Sequence, residues 1–148
     1  MLLRRILVPY DGSELSKKAL AMAEDIARNF NAQLTIFVVI PMCYPVGDFM
    51  FSSISAAEQR RLSKILYDQA HKKIEKVTEK CQEEGVKTDY KIVSDDISHA
   101  IIKEARKTRT SLIIMGSRKL TGLSSIKRLG STARYVSEHA PCPVTIVH

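Results

Sequence analysis

The amino-acid sequence predicts an α/β fold: a single doubly wound, five-stranded parallel sheet with helices on both faces. Three observations predict it. Five short apolar, β-rich runs are spread along the 148 residues. Segments with apolar residues every three or four positions separate them. Turn residues mark each change from one period to the other. A chain of this length is expected to form one domain, residues 1–148, with enough interior for a substantial core.

The elements follow in order. "RRILVPY" (4–10) is a short apolar run ending at Pro9, read as a buried strand. "DGS" supplies turn chemistry, and Ser13 is placed to cap the segment that follows. Leu15, Ala19, Met22, Ala23, Ile26, Ala27 and Phe30 fall at helical spacing, which predicts an amphipathic helix over 14–30. "AQLTIFVVI" (32–40) is the second strand. Residues 41–54 carry two prolines and a glycine and read as a long loop, with Phe49, Met50 and Phe51 forming either a lid, a partner patch or simple packing under the next helix. Leu62, Leu66, Ala70, Ile74, Val77 and Cys81 define a long helix over about 55–84, stopped by Gly85. "VKTDYKIV" (86–93) alternates, so a third strand near a sheet edge is expected. Ser94 and Asp95 are cap candidates for a helix whose face holds Ile97, Ile101 and Ala105. "SLIIMG" (111–116) is a fourth strand. Leu129, Ala133, Val136 and Ala140 imply a helix over 130–139, and "CPVTIVH" (142–148) closes the chain as a short strand.

Composition narrows the function. Hydrophobic residues make up 45% and charged residues 26%, proportions of a soluble globular protein, and no apolar run reaches membrane-spanning length. The start "MLLRRILVPYDGS" lacks the pattern of a signal peptide, so a cytoplasmic location is expected. Cys43, Cys81 and Cys142 are odd in number and far apart, which predicts reduced, packed thiols. Net charge is +7, and its placement is local. From Ala105 to Ser137 there is no acid, while Arg106, Lys107, Arg109, Arg118, Lys119, Lys127, Arg128 and Arg134 supply eight cations. That window surrounds "MGSRKLTGLSSIKRLGST" (115–132). A local positive field attracts anions.

In a doubly wound sheet, ligands sit beyond the carboxyl ends of the strands where the strand order reverses. With the order 3-2-1-4-5, the first and fourth strands flank that point. Their ends, "VPYDG" and "IIMGS", bring Asp11 and Gly116 toward one crevice. The loop after the fourth strand feeds a helix beginning near Gly130, Ser131 and Thr132, and a helix start offers unpaired N–H groups to a phosphate. Arg118 and Lys119 add charge, and Ser131 and Thr132 add hydroxyl donors. Gly116 spares a Cβ beneath the ligand. Asp11 is an acceptor for ribose hydroxyls or a metal ligand. Each feature also has a structural reading: Asp11 as a cap of the first helix, Gly130-Ser131 as an N-cap, Gly116 as a turn. Their convergence on one crevice favours the ligand.

The segments "ILVPYDGSELSKKAL", "SLIIMGSRKLTGL" and "LGSTARYVSEHAPCPVTIV", with the order and length of all elements, resemble the universal stress protein (UspA-like) family over essentially the whole chain. The resemblance implies the adenine-nucleotide alpha-hydrolase-like version of the fold. It implies a nucleotide-responsive binding and signalling protein of the stress response, taking ATP or another adenine nucleotide with or without Mg. It places Pro9, Tyr10, Asp11 and Val39 around adenine and ribose, with Met115 under the base. The family's ATP-binding signature is G-x-x-G-x9-G-[ST]. Gly116 and Gly130-Ser131 match its ends, but Lys119 replaces the second glycine and the loop is one residue longer. A lysine disfavours positive φ and crowds the backbone, while its charge reaches for a phosphate. The resemblance also implies a homodimer joined through the last strand, 143–147.

No catalytic constellation is present: neither a P-loop nor a nucleophile elbow, no metal-ligand spacing among His71, His99, His139 and His148, and no paired acids of a phosphoacceptor domain. A binding protein is expected, with slow ATP hydrolysis left open. The alternative is an interaction module without nucleotide that docks an acidic partner on the basic surface of 105–134. Aromatics do not interleave those basic residues, so sequence-specific nucleic-acid reading is not expected, nor is a membrane partner.

Overall fold

The structure, a computed structural model, describes residues 2–41, 55–117 and 129–148. The expected roles of Cys43, Phe49, Met50, Phe51, Arg118, Lys119, Lys127 and Arg128 lie outside these residues. The chain runs β1 (Arg5–Pro9), α1 (Glu14–Phe30), β2 (Gln33–Pro41), α2 (Ala56–Glu83), β3 (Thr88–Asp95), α3 (Ile97–Thr108), β4 (Leu112–Gly116), α4 (Ser131–His139) and β5 (Val144–Val147). All four strand pairings are parallel, in the order β3-β2-β1-β4-β5.

The alternation of each strand splits the interior into two layers. Ile6, Val8, Leu34, Ile36, Leu112 and Ile114 face α1 and α2. Leu7, Phe37, Ile113 and Met115 face α3 and α4. Ala19, Ala23 and Ala27 let α1 lie close to the sheet, and all three are buried.

Four sequence expectations are corrected. Neither Ser94 nor Asp95 caps α3. Register pairing of Ile40 with Ser94 and Pro41 with Asp95 keeps both in β3, so Asp96 takes the cap and its side chain accepts the His99 N–H at 3.0 Å. Met22 and Phe30 of the α1 stripe are exposed. So are Leu62 and Leu66 of α2, because a 28-residue helix is about 42 Å long and an eight-residue strand only about 27 Å. Only its last part covers the sheet, where Ile74, Thr78 and Cys81 are buried. Leu129 precedes α4 and is exposed. Among the described residues, no helix is long and apolar enough to cross a membrane.

Candidate functional site

At the carboxyl ends of β1 and β4 the structure opens a crevice of about 480 Å³. Its walls include Pro9, Tyr10, Asp11, Val39, Met115, Gly116, Gly130, Ser131 and Thr132. Nine of the eleven sequence-predicted site residues thus meet in one cavity, and Arg118 and Lys119 lie outside the described residues. Phe37, Val39, Ile97, Ile101 and Met115 make one side apolar. Asp11 is the only formally charged residue among the described lining residues.

The β1 end is folded by its own turn. Asp11 Oδ1 accepts the Ser13 N–H at 2.9 Å, and Gly12 takes φ 79°, a left-handed value that favours glycine. Asp11 is therefore not the cap of α1. That role belongs to Ser13, whose hydroxyl accepts the Ser16 N–H at 3.2 Å. Tyr10 donates its backbone N–H to Phe37 O, while its ring packs with the α1–α2 layer. Burial pushes its phenol above the ordinary value, so it stays a neutral hydroxyl near neutral pH.

The β4 end corrects the reason for Gly116. A Cβ there would lie 2.8 Å from Leu15 C and Cβ and 2.9 Å from Leu15 O. The glycine is required by the first turn of α1 rather than by a ligand. Ser117, which the sequence reading missed, is buried and accepts the Gly130 N–H at 3.1 Å, while its own N–H donates to Val147 O. One serine ties together the end of β4, the end of β5 and the start of α4. The signal was the Gly-Ser pair itself, but its partner lies thirteen residues on.

α4 begins differently from the other helices. Ser13, Ser55 and Asp96 cap α1, α2 and α3 with side-chain acceptors, and Ser55 forms a capping box with Glu58. Gly130 caps α4 and provides none. The first bond of this helix runs from Arg134 N–H to Gly130 O. Among the described residues, the N–H groups of Ser131, Thr132 and Ala133 have no partner, and all three residues line the crevice. The crevice therefore presents a free helix start, with its partial positive charge, beside an apolar slot and one carboxylate. Among the described residues, no cluster of three His, Cys, Asp or Glu could hold a metal ion.

These features define a class: doubly wound α/β proteins whose site lies at the switch between two neighbouring strands. The sequence profile of the universal stress protein family matches residues 3–148. The chain belongs to that family. It is 31% identical over 146 residues to universal stress protein MJ0531 of Methanocaldococcus jannaschii, spanning 99% of this chain and 82% of that one. The solved structure of MJ0577 superposes with a TM-score of 0.79 at 26% identity, covering 99% of this chain and 96% of the other. A universal stress protein family member from Arabidopsis thaliana, solved with AMP bound, superposes with a TM-score of 0.69 at 20% identity, over 97% and 90% of the two chains.

Proposed function

We propose that the crevice binds an adenine nucleotide and that the protein acts as a nucleotide-responsive binding protein. The observation that carries this reading is the start of α4, where three N–H groups without a partner among the described residues open into a largely apolar cavity. Such a start is a seat for phosphate, and the cavity has the size usual for small-molecule sites. Phosphates rest on Ser131–Ala133, ribose hydroxyls meet Asp11, and the base lies against Val39 and Met115. The AMP-bound Arabidopsis relative supports the ligand class. ATP with Mg²⁺ is the finer form of the same reading, the metal arriving with the nucleotide. Binding rather than hydrolysis is favoured because Asp11 is the one carboxylate among the described lining residues and its Oδ1 already serves the turn.

The purified protein is expected to release adenine nucleotide on denaturation, or else to give a binding heat with AMP or Mg-ATP. If it releases none and shows no heat at about 100 µM protein, the reading fails. The open edge of β5 is further proposed to pair with a second copy. The alternative of one basic docking surface over 105–134 has less support. Arg106, Lys107 and Arg109 lie at the end of α3, whereas Arg134 lies in the first turns of α4 and pairs with Glu138.

A further inference from the structure

The pole opposite the crevice carries its own charge cluster. Arg106, Lys107 and Arg109 end α3 at the amino ends of the strands. β1 begins against them. The N–H groups of Arg4 and Arg5 both donate to Ser111 Oγ at 3.1 Å, Ser111 N–H returns a bond to Arg5 O at 2.8 Å, and the Arg5 guanidinium donates to Thr108 O. Arg4, Arg5, Arg106, Lys107 and Arg109 are all exposed, and all five lie at this pole. Among the described residues, none of the five has an ion-pair partner. Elsewhere Lys17, Arg28, Lys80, Lys91 and Arg134 are each paired with a carboxylate, while other exposed cations, Lys18, Lys72 and Lys76 among them, share the lack of an ion pair among the described residues.

Backbone geometry adds a second observation. Arg109 is the C-cap of α3 in the left-handed region, φ 51° and ψ 50°. The left-handed stops after α1 and α2 are Asn31 and Gly85, residue types that tolerate this conformation. An arginine there favours the helix dipole, but asparagine or glycine would take the left-handed conformation at less cost. A strained residue with an exposed charge points to a use for that charge.

We propose that this pole is a docking surface for an acidic segment of another protein, an extended run rich in Asp and Glu. Four of the five cations are arginines, whose planar forks match carboxylates bidentately. Leu2, 74% exposed, precedes Arg4 at the same pole and offers apolar contact that a phosphate backbone would leave unused. Glu83 and Glu84 end α2 at this pole too, on the opposite face of the sheet from α3. An anionic membrane plane covering the pole would meet those carboxylates, whereas a narrow segment along α3 and β1 avoids them.

The test is fluorescence anisotropy of a labelled oligoglutamate peptide with the full chain at low salt. Arg106→Glu/Lys107→Glu/Arg109→Glu is expected to weaken binding roughly tenfold or more. A control with the same change in net charge, Lys18→Glu/Lys72→Glu/Lys76→Glu, is expected to weaken it far less. Arg109→Gly separates charge from folding: peptide binding weakens while the melting temperature holds or rises. Equal losses in the two triple variants overturn the proposal, as does an Arg109→Gly variant that binds as tightly as the native chain. So does tighter binding of phosphatidylserine vesicles or of a single-stranded oligodeoxynucleotide through the same residues.

Discussion

Gly116 shows how a single residue can be read for the wrong reason. A glycine ending an apolar strand before a basic loop suggests room for a ligand, yet the atoms nearest its missing Cβ belong to Leu15. Most of them are backbone and cannot swing away. Gly116→Ala is therefore expected to destabilise the fold by about 1–3 kcal/mol, as overpacking does, read as a lower denaturant midpoint with an unchanged m-value. A tolerated alanine would mean that α1 shifts easily. Ser117 is the opposite case: its hydroxyl closes the base of a long connection, a role no local pattern reveals because Gly130 supplies the partner. The thiols are simpler. Burial and the Glu24 carboxylate push Cys81 up to about 12, so it is expected to stay unalkylated by iodoacetamide at neutral pH until the protein unfolds, as peptide mass spectrometry would show.

Among elements, the helix starts carry the argument. Gly130 sits at φ −60° and ψ 153°, values that any residue adopts. Gly130→Asp would supply the missing cap acceptor, stabilising α4 by a few tenths of a kcal/mol, roughly, while placing a carboxylate over the free N–H groups. Nucleotide affinity is then expected to fall at least about tenfold by calorimetry, with the melting temperature held or raised. Affinity unchanged by that substitution would move the phosphate seat elsewhere. The start of α3 is closed by Asp96, whose carboxyl is held below its ordinary range first by the His99 backbone N–H and then by the His99 ring. Because the folded value is lowered, this cap stabilises above the ordinary carboxylate range and fades as pH falls through the lowered value. Asp96→Ala is expected to cost about 1 kcal/mol at neutral pH and progressively less in acid, measured by urea unfolding at both pH values. All nine elements could be read from the sequence because their periods are long and their caps local. The α3 cap was misplaced by one residue because "SDD" offers three acceptable caps, and only the β2–β3 register decides among them. The exposed half of α2 was missed because its spacing is helical wherever the sheet happens to end.

For the whole molecule, the two edges of the sheet differ. β3 carries Asp89, Lys91 and Asp95, charges that discourage a further strand, whereas β5, "VTIV", carries none. Pro143 O and Val147 O accept from Ile113 and Ser117, so the odd-numbered positions of β5 face β4. By the two-residue period, the N–H groups of Val144 and Ile146 face outward. An antiparallel copy of β5 across a two-fold axis would use those donors. Ile146→Pro deletes an outward N–H and leaves the β4–β5 ladder intact, so light scattering is expected to give a folded monomer for it and, if the native chain pairs through β5 as proposed, a dimer for the native chain. Thr145→Pro strikes the inward donor instead and is expected to lower the melting temperature. A dimer that survives Ile146→Pro would place the interface on another surface. A monomer that still binds nucleotide would show that the crevice at the β1–β4 switch is complete within one chain, as its position two strands from β3 and one from β5 implies.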